Sequence, residues 1–281
     1  MGTLRTLTTG LAVASALLLS ACGGDTTDPA PATEPGDGTT LTAVKVGASP
    51  LPHAKILEFV QENLAEDAGI ELEIVEFDDF VLPNEALASG EIDANYFQHL
   101  PYLEDQIEEK GYDFDHGEGV HIEPYAAFSS KYESLEDVPD GATIAITNDA
   151  ANQIRGLRVL ETEGLLKDVE DDSSVLTLTD EQNPRDFTFS ENQPEVIVQQ
   201  LEDPAIDVAF VNGNFILNAG LNTDDAIAAE EVEGNPNANL LAWRSDNTND
   251  GVLKLDELLH SDEVAAFIKE TWPSGDVIAG S

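Results

Sequence analysis

From Val44 onward the chain alternates short apolar runs with stretches of helical periodicity, and few folds accommodate that alternation. Val44 to Ala48 reads as a buried strand. Pro52 opens a helix whose apolar positions Ile56, Val60 and Leu64 recur every four residues, and Gly69 closes it. Ile70 to Phe77 sets Ile70, Leu72 and Ile74 against Glu71 and Glu73, the pattern of a strand with one buried face. Pro83 to Ser89 reads as a short helix, and Gly90 turns the chain into an apolar Ile92–Ala94. Strand, helix, strand, helix, strand predicts a parallel α/β sheet.

The rhythm restarts later. Thr143 to Thr147 reads as a strand, and Asn148-Asp149 caps a helix with Ile154, Leu157 and Leu160 on one side. Short apolar stretches follow at Val175–Leu178 and Phe187–Phe189, then a helix from Pro194 to about Leu201. Ile206 to Val211 reads as a buried strand ending at Asn212-Gly213-Asn214. Leu240 to Trp243 supplies another strand and Ser261 to Glu270 a helix. No internal repeat relates the two halves, and Gly119 to Ser129 is the natural crossover between them.

The first forty residues have a different character. Arg5 precedes an apolar run, Leu11 to Leu19, that is too short to span a bilayer as a stable helix. A basic start, a short apolar core and small residues at a cut site describe a secretory signal peptide. The sole cysteine, Cys22, follows Leu19-Ser20-Ala21, a placement that resembles the lipobox in which the thiol receives a diacylglycerol and becomes the mature N-terminus. Residues 23–40 contain no large apolar side chain, so they cannot offset ordering entropy and read as a solvated tether. About 240 residues remain for folded structure, enough for two lobes of ordinary domain size.

Twelve basic residues stand against 56 acidic ones, a formal net charge of −44. Nucleic acid and anionic headgroups are repelled by such a surface and are excluded as partners of the folded part. The acids are dispersed, as in Glu104, Asp105, Glu108, Glu109, Asp113 and Asp115, which describes a solvated surface rather than a cation-binding device.

Catalytic motifs are missing. There is no GxxxxGK loop, no HExxH, no GxSxG, no GxGxxG after a strand, and no free thiol once Cys22 is lipidated. Of the five histidines only His116 and His121 lie close, at a spacing that does not share a helix face, so no metal is expected. Asp78-Asp79 is an acid pair of the sort that chance supplies in so acidic a chain. What remains are polar and aromatic residues at the ends of elements, where ligands bind in open α/β sheets. Asp93 to Leu103 packs Tyr96, Phe97, His99 and Tyr102 into seven positions, either as core or as site. Asn152 and Arg155 share a helix face in its first turns. A guanidinium there suits a carboxylate, though it also suits neutralisation of nearby acids.

These residues fall within a longer pattern. Pro83-Asn84-Glu85-Ala86-Leu87, then Gly90 through Ile92-Asp93-Ala94-Asn95 and Phe97-Gln98-His99 to Pro101-Tyr102-Leu103, resembles the signature of the NlpA/MetQ family of methionine-binding lipoproteins of ABC importers. The likeness continues through Ile144-Ala145-Ile146 with Asn148-Asp149, Asn152 and Arg155, through Val211-Asn212 with Ala219-Gly220-Leu221, and to Ala238-Asn239 and His260-Ser261-Asp262. It covers about residues 44 to 280.

The resemblance implies a two-lobed periplasmic-binding-protein architecture of type II character with the ligand cleft between lobes. The signal peptide would be 1–21, the lipidated Cys22 and tether 22–43, one lobe 44–124 plus 224–281, and the other 125–223. Arg155 would pair with a ligand carboxylate and Asn152 hydrogen-bond beside it. Asn212 and Asn239 would orient the polar end through their amides. His99 and Tyr102 would line the cleft, and Phe80 and Phe97 would wall a thioether, since sulfur packs well against ring edges. Family members commonly have tyrosine at position 80, so Phe80 removes one pocket hydroxyl and leaves the strict ligand open: L- or D-methionine, a methionine-containing dipeptide or another small amino acid. The implied partners are an ABC permease with its ATPase, and a membrane reached through the lipid on the extracytoplasmic face; no cofactor is expected and no catalysis. Two other classes stay in view: a cell-surface hydrolase using His99 with an acid, and an interaction protein that keeps the fold without transport.

Overall fold

The computed structural model describes residues 40–280; the leader, Cys22 and most of the tether lie outside the described residues. Two sheets organise the chain. The first is built around β1 (Thr42–Ala48), which pairs in parallel with β2 (Ile70–Glu76) on one side and β3 (Ala94–His99) on the other. A wide helical turn, Pro50–Ala54, leads into α1 (Lys55–Asn63), and α2 (Leu82–Ser89) joins β2 to β3. Gly90 ends α2 at φ 74°, a left-handed conformation that glycine adopts without penalty. α3 (Leu100–Lys110) follows β3 directly.

β3 is buried along its whole length although its sequence is Ala-Asn-Tyr-Phe-Gln-His. The amides are satisfied by a neighbour on α2. Asn95 Nδ2 and Gln98 Nε2 donate to Asn84 Oδ1 at 2.8 and 2.9 Å, and Asn84 Nδ2 donates to Gln98 Oε1 at 2.9 Å. Buried polar groups persist when paired in this way, and this one ties helix to strand. The apolar Ile92–Ala94 stretch is thus only the approach to a strand whose body is polar in sequence.

The first sheet is mixed, where the local rhythm predicts parallel. β4 (Phe114–Ile122) lies at its far side, and β10 (Asn239–Arg244) is inserted antiparallel between β3 and β4. A short β11 (Ile278–Ala279) closes the edge on β4. The chain passes into the second sheet at β5 (Ala126–Phe128). There β6 (Thr143–Thr147) pairs in parallel with β7 (Thr188–Asn192) and β8 (Val208–Val211), while β5 runs antiparallel to β8 and to β9 (Ala228–Ala229). Val175–Leu178 forms turns and no strand, with Leu176 exposed.

Helix α4 (Ala150–Thr162) follows β6 and is capped by Asp149, whose carboxylate accepts from the Asn152 backbone N–H at 2.9 Å. Next come α5 (Pro194–Ile197), α6 (Gly213–Asn218), and, after β10, α7 (Asp250–Leu259) and α8 (Asp262–Thr271). One apolar core lies under the first sheet, with Val46, Ile56, Tyr96 and Leu255 among its members, and another under the second, with Ile144, Leu157 and Phe210. A third cluster draws on both sides: Phe80, Phe97 and Tyr102 pack with Phe128, Phe215 and Ile216.

Candidate functional site

Beside that third cluster is a narrow, tightly filled cavity. Its walls come from the strand ends and helix starts of both sheets. Phe80 follows β2; Phe97, Gln98 and His99 end β3; Tyr102 lies in the first turn of α3; Asn239 begins β10. The second sheet contributes Asn152 and Arg155 from α4 and Asn212, Gly213 and Asn214 at the start of α6. Glu123 comes from the crossover between β4 and β5. All eight positions singled out in the sequence for binding thus converge on one cavity: Phe80, Phe97, His99, Tyr102, Asn152, Arg155, Asn212 and Asn239.

One end of the cavity is aromatic. The Phe80, Phe97 and Tyr102 rings sit 5.9 to 6.1 Å apart, centroid to centroid, in tilted and edge-on arrangements, and Phe215 backs Phe80 at 5.3 Å. Tyr102 Oη donates to the Phe80 carbonyl at 2.9 Å, which holds the loop after β2 in place.

The other end is polar. His99 caps α3: its Nδ1 accepts from the Tyr102 N–H at 3.2 Å. That bond leaves the proton on Nε2, which donates to Asn152 Oδ1 at 3.1 Å. The same oxygen accepts from Arg155 Nη1 and from Asn212 Nδ2, both at 2.9 Å, while Asn152 Nδ2 donates to Asp149 at 2.8 Å. Both ends of Asn152 are engaged, so it fixes its three neighbours. Arg155 is buried and held on several sides. Nε donates to Glu230 Oε2 at 3.1 Å, Nη2 to Glu230 Oε1, and Nη2 also to the Glu123 carbonyl at 3.0 Å. One Nη1 proton remains for the cavity.

Behind the cavity lie two more buried imidazoles. Tyr96 Oη donates to His121 Nδ1, so His121 Nε2 carries the proton and donates to Glu123 Oε1 at 2.9 Å. His53 Nε2 lies 3.2 Å from the same Oε1 and 3.2 Å from Asn239 Oδ1. Burial, first of all, drives the charged forms away. It lowers His53 to about 4, against the Glu123 charge that works to raise it, and His121 to about 3. His99 is also lowered to about 3, by burial and then by the Arg155 charge. Burial lifts the Glu123 carboxyl to about 7, against the opposing pull of His53 and Arg155. His53, His121 and Glu123 have the chemistry of metal ligands, but His121 Nε2 is hydrogen-bonded to Glu123 and His53 Nε2 to Asn239.

The comparisons with known proteins agree with one another. The family model described as NlpA lipoprotein matches residues 44–281. The chain belongs to the NlpA lipoprotein family. Among NlpA relatives, the methionine-binding lipoprotein MetQ of Bacillus subtilis is 38% identical over 234 residues, covering 82% of this chain and 85% of the relative. The D-methionine-binding lipoprotein MetQ of Escherichia coli is 32% identical over 269 residues, 95% and 94% of the two chains. A solved nutrient binding protein from Burkholderia cenocepacia, bound to methionine, superposes with a TM-score of 0.78 at 36% identity, covering 85% of this chain and all of that one. The α/β fold of two sheets is that of these binding proteins.

Four lining residues of this NlpA-family chain escaped the sequence: Gln98, Glu123, Gly213 and Asn214. Glu123 matters most, and it is hidden among 56 acids. Its available signal was local, since His121 and Glu123 fall on one face of an extended stretch flanked by Val120 and Tyr125. Gly213 exists to make room for it: a Cβ there would lie 2.5 Å from Glu123 Cβ and 3.0 Å from Oε2.

Proposed function

We propose that this chain is a lipid-anchored receptor that captures methionine outside the cytoplasmic membrane and hands it to an ABC permease, with no bond made or broken. The observation that carries the proposal is the split inventory of the cavity. Unused acceptors face it on one side: Asn212 Oδ1 is buried without a partner, and Glu123 Oε2 makes no hydrogen bond among the described residues. Unused donors line it too, among them the spare Nη1 proton of Arg155 and the Asn239 amide, whose Oδ1 is occupied by His53. Acceptors for an ammonium, donors for a carboxylate and an aromatic wall beyond them describe a zwitterionic amino acid with an apolar side chain. Enclosing a thioether chain among Phe80, Phe97 and Tyr102 contributes roughly 1.5–3 kcal/mol, with a further sulfur–ring contribution. The names of the relatives support methionine in particular.

Arg155 takes the carboxylate in this account, Asn152 holds Arg155, His99 and Asn212 in register, and Asn239 and Asn212 orient the polar end. The lobes are 44–124 with 224–281, and 125–223, with β9 reaching across to the edge of the second sheet. Contacts made from both lobes only when shut favour the closed form. Cys22 supplies the anchor and residues 23–40 the tether, with a reach of roughly 20–25 Å.

The test is mass spectrometry of the small molecule released when the purified protein is denatured, followed by titration of the stripped protein with L- and D-methionine. Methionine in the release and saturable binding of either isomer are expected; release of a different compound with no binding of either isomer contradicts the proposal.

A further inference from the structure

The triad behind the cavity has a consequence for how an amino acid enters it, and this inference rests on the zwitterion assignment above. Glu123 Oε1 faces two imidazole Nε2 atoms, at 2.9 Å from His121 and 3.2 Å from His53. With Tyr96 donating to the far side of His121, the His121 proton points at Oε1, and His53 Nε2 is hydrogen-bonded to Asn239 Oδ1. Glu123 Oε2 has no hydrogen-bond partner among the described residues. Oε2 is the oxygen beside Gly213 on the cavity side, the one that would receive an ammonium.

We propose that Glu123 is a specificity-determining residue that exchanges a proton for the ligand's ammonium: the empty site holds Glu123 as a neutral acid, and binding expels the carboxyl proton to solvent.

The exchange balances. The ligand enters and stays as R–NH3+, the carboxyl O–H bond breaks, its electron pair remains on the carboxylate, and one proton leaves. A neutral carboxyl offers an ammonium only weak neutral acceptors and no counter-charge, whereas the carboxylate offers charge-assisted hydrogen bonds, so the ammonium favours the ionised form. The surrounding charges fit this account. His53, from the turn before α1, and His121, from β4, are both neutral; Tyr96 on β3 is neutral behind them. Arg155 on α4 reaches only the Glu123 carbonyl and is matched by Glu230. The start of α6 and β10 offer only uncharged residues, Asn212, Gly213, Asn214 and Asn239. No cation in direct contact with the side chain holds the empty carboxylate ionised, and burial lifts its titration to about 7.

Calorimetric titration of the full chain with L-methionine, at pH 6 and pH 8 and in pairs of buffers with different ionisation enthalpies, reads this directly. The expected result is release of nearly one proton per ligand at pH 6 and almost none at pH 8, with a Kd about tenfold weaker at pH 6. Glu123→Gln should bind more weakly and with the same Kd at both pH values. The deaminated analogue 4-(methylthio)butanoate, which brings no ammonium, should release no proton. Methionine binding with no proton release and a flat Kd in the unmodified chain overturns the exchange while the amino-acid assignment stands. Failure to bind methionine at either pH overturns that assignment, and the exchange with it.

Discussion

Asn152 shows what single side chains do in this cavity. Its carbonyl oxygen collects His99, Arg155 and Asn212, and its amide nitrogen is pinned to Asp149. Asn152 lines the cavity and also joins three of its neighbours. Gly213 works in the opposite way, by leaving space. Gly213→Ala should destabilise the fold by about 1–3 kcal/mol, because the Cβ meets Glu123 in a filled wall, and should weaken amino-acid binding by shifting Oε2; urea unfolding and titration measure both. Unchanged stability would mean that Glu123 is free to move. Phe97, His99 and Tyr102 near a strand end and Asn152 and Arg155 on one helix face were legible as candidates in the sequence, whereas Phe80, Asn212 and Asn239 entered only through the family resemblance. Glu123 was not legible, since nothing in its type separates one buried acid from the exposed ones around it. Its function comes from partners at positions 53 and 96, distant in the chain.

Helix α4 carries the polar end of the site, and its cap is the point of leverage. Asp149→Ala removes the bond to the Asn152 N–H and the one to its side chain, and should cost about 1 kcal/mol of stability together with a loss of ligand affinity. Ser261→Ala removes the cap of α8, which accepts from the Val264 N–H at 3.3 Å and lines no part of the cavity. It should cost similar stability and leave affinity unchanged. Equal effects of the two substitutions on affinity would contradict the role given to α4. Caps and periodicity made α1, α2, α4 and α8 readable. The strands were harder wherever pairing is non-local: β10 enters the first sheet antiparallel between β3 and β4, an arrangement no local pattern contains. β4 itself is diluted by His116, Gly117 and Gly119, and so shows no alternation to read. β3 failed for a third reason, since its amides are buried only because Asn84 waits on α2.

The molecule as a whole places neutral imidazoles inside a strongly acidic exterior. His53, His99 and His121 titrate near 4, 3 and 3 when folded, against about 6.5 when unfolded. Each contributes stability that is complete above pH 6.5 and lost as pH falls toward its folded value. Glu123, raised to about 7, acts in the reverse sense: its contribution is complete below about 4.5 and lost as pH rises through 7. Three outweigh one, so the ligand-free chain should be less stable at pH 5 than at pH 7, as read by urea unfolding in 1 M salt, where the surface charge of −44 is screened. Equal or greater stability at pH 5 would contradict neutral burial of the three rings. On the proposed reading anchoring is separate from capture, so Cys22→Ala should release the protein from membranes without changing its affinity. The most direct test of the whole account is calorimetric titration of L-methionine into the stripped protein and into Arg155→Ala. Saturable one-to-one binding to the former and at least a tenfold loss in the latter are expected, because a buried carboxylate loses its charged donor; equal affinity in the two would rule out Arg155 as the carboxylate's partner.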